Sequence, residues 1–508
     1  MPAAIDITND SPAKRELSPV MRWSIFIALA LITLAVRLPQ LSQRPMHTDE
    51  SINAYITGDL LAGKTYHYDP QDRHGPALYL IAAPLARLLG AHNLSELAEW
   101  QLRLGPVLVG SATILLFGAA VEMFGFIACL VAALLFAFAP LPVYYNRYFI
   151  HETLFVAATF GLMLAGWRTW QKFSVLSALL AGFCAALMLA CKETAVIHFF
   201  ALAVAAGCAW VLPPREKFPA PKALAVGSIA VLLVVTLLFT WFGQNWSAFA
   251  DLLHAVPRFA ARAGGEGHAK PFSYYYHLLD PMLVLYIVAV GGIYAAICEV
   301  VNREHKPHLL IAIYGIIIFL IYSFIPYKTP WLALNLWLPL ALVCGLGVGA
   351  FWDNFKQKAG RAMIIVAGIF LLAILGAQTK LLAFDRPADE KNPFAYAHTG
   401  DDMLGLAPRL EELASQHHLS QPRIAVVAAD AWPLPWYLRK FTKVGYWQPG
   451  QDPGPADFFI TTTDVSDPLA TELKNDRPEF FGVRPGVLIM LWVPPAAQAE
   501  PASATTHE

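Results

Sequence analysis

The stretch MRWSIFIALALITLAVRLPQLSQRPMHTDESINAY, residues 21–55, decides the fold class. It begins with an apolar run long enough to cross ~30 Å of hydrocarbon as a helix. The run follows basic residues and has no small-residue cleavage site, which predicts an uncleaved anchor helix. The stretch ends with two adjacent carboxylates, Asp49 and Glu50, a few residues beyond the predicted membrane border.

The composition of the whole chain predicts an integral membrane protein. Of 508 residues, 57% are hydrophobic and 14% are charged, with a mean hydropathy of +0.49, which is too apolar for a soluble protein of this length. The net charge of −1 comes without a basic patch, which excludes a nucleic-acid-binding protein and favours membrane lipids and lipid-linked molecules as partners. The six cysteines lie in apolar runs without a C-x-x-C pair, so neither a disulfide framework nor a thiolate metal site is indicated.

Hydrophobic runs of membrane-crossing length predict about eleven spans. A twelfth candidate, residues 74–90, begins with Gly-Pro and is broken again at Pro84, so it is predicted as a short helix along or dipping into the outer leaflet. The predicted spans are 22–40, 100–120, 124–143, 150–168, 173–190, 194–212, 221–242, 281–300, 308–325, 330–351 and 361–383.

The basic residues of the short loops orient these spans, because cytoplasmic loops collect Lys and Arg. If 74–90 does not span, the basic loops share the cytoplasm with the N-terminus, and the C-terminus lies outside a cell (inner) membrane. The loop residues concerned are Arg168, Lys172, Arg215, Lys217, Lys222, Arg303, Lys306, Lys356, Lys358 and Arg361. The predicted regions are a cytoplasmic N-terminus (1–21), a transmembrane domain (22–383) with outer loops 41–99 and 243–280, an extracytoplasmic α/β domain (384–494) and a disordered tail (495–508).

The α/β domain is predicted from short β-rich runs after the last span. RIAVVAA (423–429), DFFITTT (457–463) and VLIMLWV (487–493) are typical of strands, and a helical pattern lies near 402–417. We expect this domain to cap an outer groove or to bind an acceptor glycan.

In this predicted orientation, mixed clusters of acids, bases, histidines and tyrosines lie on the outer face. Asp49 or Thr48 is a candidate N-cap for a surface helix, and Asp49 is also a candidate general base. The two roles are compatible. The other clusters are interpreted either as solvated turns, interfacial anchors and ion pairs, or as a site for a headgroup or sugar phosphate. These candidates are His47, Tyr66, Tyr68, Asp69, Arg73, His74, Arg147, His151, Glu152, Lys192, Glu193, Tyr327 and Lys328.

The histidines leave a divalent-metal site open, although no spacing matches a known ligand set. The candidate ligands are His47, Asp49, His67 and His74 in the first outer loop, and His254, His268 and His277 in the second. No metal and no cofactor is expected.

Seven motifs together resemble a known family. The chain resembles the GT-C glycosyltransferases, most of all the protein O-mannosyltransferases and the aminoarabinose transferase of lipid A. More narrowly, it resembles a bacterial and archaeal membrane family described as flippase-activity-associated. The motifs are HTDESINAY (47–55), HGPALYL (74–80), LRLGPVLVGSATILLFG (102–118), YYNR (144–147), YKTPW (327–331), NPFAYAHTGDD (392–402) and WPLPWYLRKF (432–441).

The resemblance implies a GT-C fold and an inverting transfer of a sugar from a polyprenyl-phosphate-linked donor at the outer face. The acceptor would be a glycan, lipid or protein of the cell envelope. Asp49 matches the family's first-loop aspartate base and Glu50 its neighbour, while Arg147 matches a basic residue that contacts the donor phosphate. His74 stands where the aminoarabinose transferase has a lysine, and His151 with Glu152 replaces an aspartate. Tyr327 and Lys328 are further candidates for the phosphate.

Two other functions compete with the transferase. A non-catalytic accessory or transport protein for lipid-linked glycans would bind the same lipid without reacting, and would tolerate the loss of the Asp49 carboxylate. An ion-coupled transporter would need acids near the bilayer midplane, and the apolar cores of these spans are nearly free of charge.

Overall fold

The computed structural model describes residues 17–71, 74–212, 221–265, 267–279, 283–301, 306–355, 357–465 and 467–495. Arg73, the basic loop residues Arg215, Lys217, Arg303 and Lys356, and the predicted tail from residue 496 onward lie outside these ranges. The helices, in chain order, are α1 (Pro19–Arg37), α2 (Thr48–Leu61), α3 (Ala77–Leu88), α4 (Glu99–Ala119), α5 (Val121–Phe124), α6 (Phe126–Phe138), α7 (Pro140–Tyr145), α8 (Glu152–Gln171), α9 (Val175–Cys191), α10 (Ala195–Val211), α11 (Pro221–Phe239), α12 (Ala248–Ala263), α13 (Tyr274–Leu279), α14 (Leu283–Val301), α15 (Lys306–Phe324), α16 (Ala333–Asn354), α17 (Lys358–Lys380), α18 (Met403–Gln416), α19 (Leu434–Tyr437) and α20 (Asp467–Glu472).

Each of the eleven predicted spans contains a helix, and the chain is a polytopic α-helical membrane protein. Six described helices are long and apolar enough to cross a membrane, and further apolar helices are shorter. The predicted span 124–143 is divided into α6 and α7, which meet at the extended residue Ala139 before Pro140. A proline is well placed at the first position of a new helix because it has no N–H to leave unpaired.

The prediction of a short helix within 74–90 is confirmed. The helix α3 has 12 residues, which at 1.5 Å per residue gives about 18 Å, well short of the hydrocarbon thickness. Gly75, just before α3, packs so closely on α9 that an added Cβ would lie 2.3 Å from the carbonyl oxygen of Ala190. The Gly-Pro dipeptide therefore allows the loop before α3 to contact the end of α9.

The C-terminal α/β domain contains a five-stranded sheet in the order β2-β1-β3-β5-β4. The strand β1 pairs in parallel with β2 and β3, whereas β5 pairs antiparallel with β3 and β4. The three predicted strands and the helix are confirmed as β1, β3, β5 and α18, while β2 and β4 were not predicted. The strands are β1 (Arg423–Val427), β2 (Lys443–Trp447), β3 (Phe458–Thr462), β4 (Arg477–Arg484) and β5 (Val487–Val493).

Two large apolar cores hold the chain together. One lies within the helix bundle and includes buried residues of α6, α15 and α16. The other joins α2, α3 and the end of α9 to the C-terminal domain, with Trp436 and Tyr437 of α19 in the same cluster as Ala54 and Ile56 of α2. The C-terminal domain is therefore packed directly against the helix that carries Asp49 and Glu50.

Candidate active site

A cavity with about 350 Å³ of room for water-sized molecules opens beside the N-terminus of α2. Its walls come from α2, the start of α8, the turn between α9 and α10, the helix α12 and the segment that leads into α16. Outer clusters that are far apart in sequence thus meet at one place. The charged and polar lining residues are Asp49, Asn53, His74, Tyr79, His151, Glu152, Lys192, Glu193, Thr194, Arg258, Arg262, His268, Tyr322, Tyr327 and Trp331.

Asp49 lies in the first turn of α2 with its side chain 44% exposed. Its backbone N–H donates to Nδ1 of His47 at 3.1 Å, so His47 is the N-cap of α2. The simple expectation that Asp49 or Thr48 caps this helix is therefore wrong. Burial lowers the pKa of His47, although Asp49 and Glu50 oppose that shift. A neutral imidazole leaves the Asp49 carboxylate, 4.0 Å away, without a neutralising charge.

Glu50 points away from the cavity and is fully buried. Its carboxylate accepts two hydrogen bonds of 2.7 Å from Arg103 and one of 2.9 Å from the backbone N–H of Phe149. It also accepts from the backbone N–H of His47 and completes the capping box of α2. Burial opposes its charge, but Arg103 and Arg44 hold the pKa of Glu50 well below its usual range. The candidate catalytic role of Glu50 is corrected to a structural one, because no acceptor reaches this carboxylate.

Two of the three carboxylates among the described lining residues are already paired. Glu152, at the start of α8, accepts from Lys192 at 2.5 Å. Glu193 accepts from the Tyr68 hydroxyl at 2.8 Å, and one oxygen lies 2.9 Å from Nδ1 of His74. Burial raises the pKa of Glu193, but His74 and Tyr68 outweigh it and hold that pKa at about 2. Asp49 is the third, and among the described residues the neutral His47, 4.0 Å away, is the one salt-bridge partner recorded for its carboxylate.

Two candidates support the loop in front of α3. The Tyr66 hydroxyl donates to the carbonyl of His74 at 2.6 Å. Nε2 of His151 lies 3.0 Å from the carbonyl of Gly75, and the rings of His74 and His151 meet edge to face. Tyr66 is buried outside the cavity lining, whereas His74 and His151 line it.

Seven predicted site residues are not among those that line the cavity: Glu50, Tyr66 and Tyr68, described above, and Arg147, Lys328, His47 and Asp69. The guanidinium of Arg147 donates to the carbonyls of Pro39 and Ala383, and lines a separate space of about 20 Å³ with Arg44 and Arg103. The ammonium of Lys328 is held by the carbonyls of Lys270 and Ile325. The remaining two are His47, which is buried, and Asp69, which is exposed and accepts from the N–H of Gln71.

The expectation that Asp49 and Arg147 act in one cavity is therefore not met. Arg147 follows a tight turn after α7 that directs its side chain toward the end of α17, where Phe384 stacks on it. Arg147 remains a buried cation, yet its hydrogen bonds join backbone segments instead of facing Asp49.

The structure adds two cations that were not predicted, Arg258 and Arg262 of α12. They are four residues apart and so share one helix face. Arg262 also donates to the carbonyl of Gln71 at 2.6 Å, which links α12 to the first outer loop. A basic helix face in the outer loop 243–280 was visible in the sequence, but the prediction there considered only histidines.

Within the described residues, no three His, Cys, Asp or Glu side chains are grouped to hold a metal ion. The candidate ligands have other neighbours: His67 lies 3.0 Å from Nδ2 of Asn245, and His268 lies 2.9 Å from the hydroxyl of Tyr396.

Comparison with known proteins relates this arrangement to membrane glycosyltransferases. The family described as Dolichyl-phosphate-mannose-protein mannosyltransferase matches residues 74–241. ArnT from Cupriavidus metallidurans in the apo state is 15% identical, with 93% of this chain and 98% of that chain covered and a TM-score of 0.64. The chain has the GT-C fold. No curated protein matches it.

The GT-C fold is shared with two lipid-bound structures. ArnT from the same organism bound to undecaprenyl phosphate is 17% identical, covering 94% of this chain and 99% of that chain with a TM-score of 0.61. The archaeal oligosaccharyltransferase AglB from Archaeoglobus fulgidus, in complex with an inhibitory peptide and a dolichol-phosphate, is 13% identical. The match covers 95% of this chain and 75% of that chain, with a TM-score of 0.54. The GT-C likeness to ArnT extends over the C-terminal domain as well as the helix bundle. Asp49 precedes the residues matched by the mannosyltransferase family, so its role depends on the geometry of the cavity.

Proposed function

We propose that the protein transfers a sugar from a polyprenyl-phosphate-linked donor to an acceptor hydroxyl at the outer face of the membrane. The observation that carries the proposal is the position of Asp49. A half-exposed carboxylate, flanked by a neutral histidine, lines the same cavity as the two arginines of α12. A base and a cationic face in one cavity are the two requirements of this reaction.

The reaction needs little else from the protein. Asp49 takes the proton of the acceptor hydroxyl while the acceptor oxygen forms a bond to the anomeric carbon of the sugar. The bond from that carbon to the phosphate oxygen breaks, and polyprenyl phosphate leaves with the electron pair. Attack opposite the leaving group inverts the anomeric centre.

Arg258 and Arg262 would bind the phosphate in place of Arg147 and Lys328. Guanidinium groups form charge-assisted hydrogen bonds with phosphate oxygens and stabilise the negative charge that develops on departure. His74 lines the same cavity but is already engaged with Glu193, so its contribution to phosphate binding is secondary. We expect no nucleotide or magnesium ion here, because the donor is lipid-linked and the sequence has no Gly-rich phosphate loop.

The orientation predicted from loop charge fits this proposal. The helix α8 begins at the cavity with Glu152 and ends near Arg168 and Lys172, so the basic residues lie at the other end of the bundle. We assign the cavity and the C-terminal domain to the extracytoplasmic side of the cell membrane, and the N-terminus to the cytoplasm.

The test is an Asp49→Asn variant reconstituted in liposomes. Radiolabelled undecaprenyl-phosphate sugars serve as donors and an envelope glycan fraction as the acceptor. We expect transfer to fall by about 10²–10⁴-fold, the usual worth of a general base, while binding of undecaprenyl phosphate stays within about twofold.

Asp69→Asn is the matched control. Asp69 is an exposed acid of the same outer loop, outside the cavity lining, and asparagine preserves its turn. This variant should transfer sugar at the rate of the unmodified protein. If Asp49→Asn retains full transfer, or if the unmodified protein binds the lipid without any transfer, the accessory function replaces the transferase.

A further inference from the structure

The segment 387–399, called the strap below, joins the last membrane helix to the C-terminal domain and crosses the outer end of the bundle. The carbonyls of Pro387 and Phe394 accept hydrogen bonds from the hydroxyls of Tyr144 and Tyr145. Thr399 is fully buried, and its hydroxyl donates to the carbonyl of Met46 at 2.7 Å. The strap is thus tied both to the end of α7 and to the residue just before the cap of α2.

His47 connects the strap to the candidate base. One ring nitrogen, Nδ1, accepts from the N–H of Asp49 at 3.1 Å. The ring also packs against the ring of His398 in the strap, with 5.6 Å between the ring centroids. One imidazole therefore contacts both the first turn of α2 and the strap.

Aromatic packing leaves this imidazole little freedom. Its ring centroid lies 5.6 Å from the rings of Tyr148 and His398 and 5.8 Å from that of Trp331. His47 is 4% exposed and is not among the residues that line the cavity. Its position suits a support behind Asp49 and does not suit a ligand contact.

The strap also contacts residues that line the cavity. The hydroxyl of Tyr396 lies 2.9 Å from Nδ1 of His268, and the Tyr396 ring lies 6.1 Å from that of Trp331. Both His268 and Trp331 line the cavity. One short segment thereby contacts the residue behind Asp49 and two residues of the cavity lining.

We propose that His47 is a positioning residue through which the strap of the C-terminal domain fixes Asp49 against the cavity. The C-terminal domain then acts on the site through its linker, beyond any capping of the groove. The inference rests on the proposed function, because fixing Asp49 matters for rate only if Asp49 is the base. A displacement of about 1 Å at a reacting group is enough to lower a rate substantially.

The decisive variant is His47→Asn. Asparagine is a good N-cap and retains an acceptor for the first turn of α2, but it has no ring to pack against His398 of the strap. Thr399→Val is the independent second variant, since it removes the hydroxyl that ties the strap to Met46 and leaves His47 in place. Thr442→Val, an exposed threonine elsewhere in the C-terminal domain, is the matched control.

We expect His47→Asn and Thr399→Val each to lower kcat by about tenfold or more. The KM for the undecaprenyl-phosphate donor should stay within about twofold of the value for the unmodified protein. Hydrogen exchange of peptides from residues 392–400 should be faster in both, and Thr442→Val should resemble the unmodified protein. A general loss of folding would change KM and exchange throughout the chain, whereas this inference confines the change to kcat and to the strap.

Unchanged kcat in both variants overturns the inference, even when Asp49→Asn abolishes transfer. If the unmodified protein shows no transfer at all, the proposed function fails. Hydrogen exchange then decides separately whether the strap is connected to Asp49. In that case the strap connection is refuted if Thr399→Val leaves the exchange of the peptide containing Asp49 unchanged.

Discussion

Asp49 and Glu50 are consecutive residues, yet they belong to two different charged regions. Asp49 faces an open cavity whose charges are mixed, with Arg258 and Arg262 on another wall. Glu50 enters a closed cluster of Arg44 and Arg103, where a fully buried carboxylate serves as counter-ion. Successive residues on a helix point about 100° apart, so one step along α2 separates the proposed base from a buried counter-ion.

The two regions also differ in how their hydrogen bonds are used. Around Glu50, each carboxylate oxygen accepts from a guanidinium and from the backbone, as in a folded core. In the cavity, Glu152 and Glu193 have partners, while Asp49 keeps an exposed carboxylate. A carboxylate with its acceptor sites unused can take a proton from a substrate, whereas a saturated one cannot.

The largest expected effect that tests this contrast is on stability. Glu50→Ala should lower the free energy of unfolding by about 3–5 kcal/mol, because it leaves Arg103 buried without its counter-charge. The matched variant Asp49→Ala should cost no more than about 1 kcal/mol, since its side chain is half exposed. Thermal unfolding in detergent, followed by tryptophan fluorescence, measures both. Equal midpoints for the two variants would show that the regions are not distinct.

The second prediction concerns which arginine binds phosphate. Arg262→Gln should weaken binding of undecaprenyl phosphate about tenfold or more, the worth of one charge-assisted hydrogen bond. Arg147→Gln should leave that affinity within about twofold, because the Arg147 guanidinium donates to backbone carbonyls outside the cavity. Native mass spectrometry of the detergent-solubilised proteins measures both affinities. The reverse ranking would return the phosphate role to Arg147.

The third prediction is a loss of stability in mild acid. Burial holds the pKa values of His47 and His398 below 6.5, so the folded protein keeps both neutral while the unfolded chain takes up protons below that pH. Stability should therefore fall as pH decreases from 7 to 5, by up to about 1.4 kcal/mol per pH unit for each histidine.

Unfolding midpoints measured across this pH range check the sign. His398→Gln should reduce the slope, and His92→Gln, at an exposed histidine of the first outer loop, should leave it unchanged. A midpoint that rises toward pH 5 would contradict the assignment of His47 and His398 as buried neutral histidines.

Much of the site could be anticipated from residue type and position. Acids, histidines and tyrosines next to membrane spans are costly unless they have a function, and this reasoning correctly brought Asp49, His74, His151, Glu152, Lys192, Glu193 and Tyr327 to one cavity. Seven other candidates do not line the cavity. Among them, Arg147 donates to the carbonyls of the distant Pro39 and Ala383, and Lys328 donates to those of Lys270 and Ile325. It also missed Arg258 and Arg262, because a basic face on α12 has no meaning until α12 is placed over the cavity.

The sequence by itself determined the membrane class, the positions of the helical segments, three of the five strands and the chemistry available in the outer loops. These follow from apolar run length, alternation and the cost of burying charge, which are all local properties. Only the tertiary structure decided that Asp49 faces the cavity while Glu50 pairs with Arg103, and that His47 caps α2. Those outcomes depend on which way a helix is rotated and on what packs against it, and contacts between residues far apart in sequence set both.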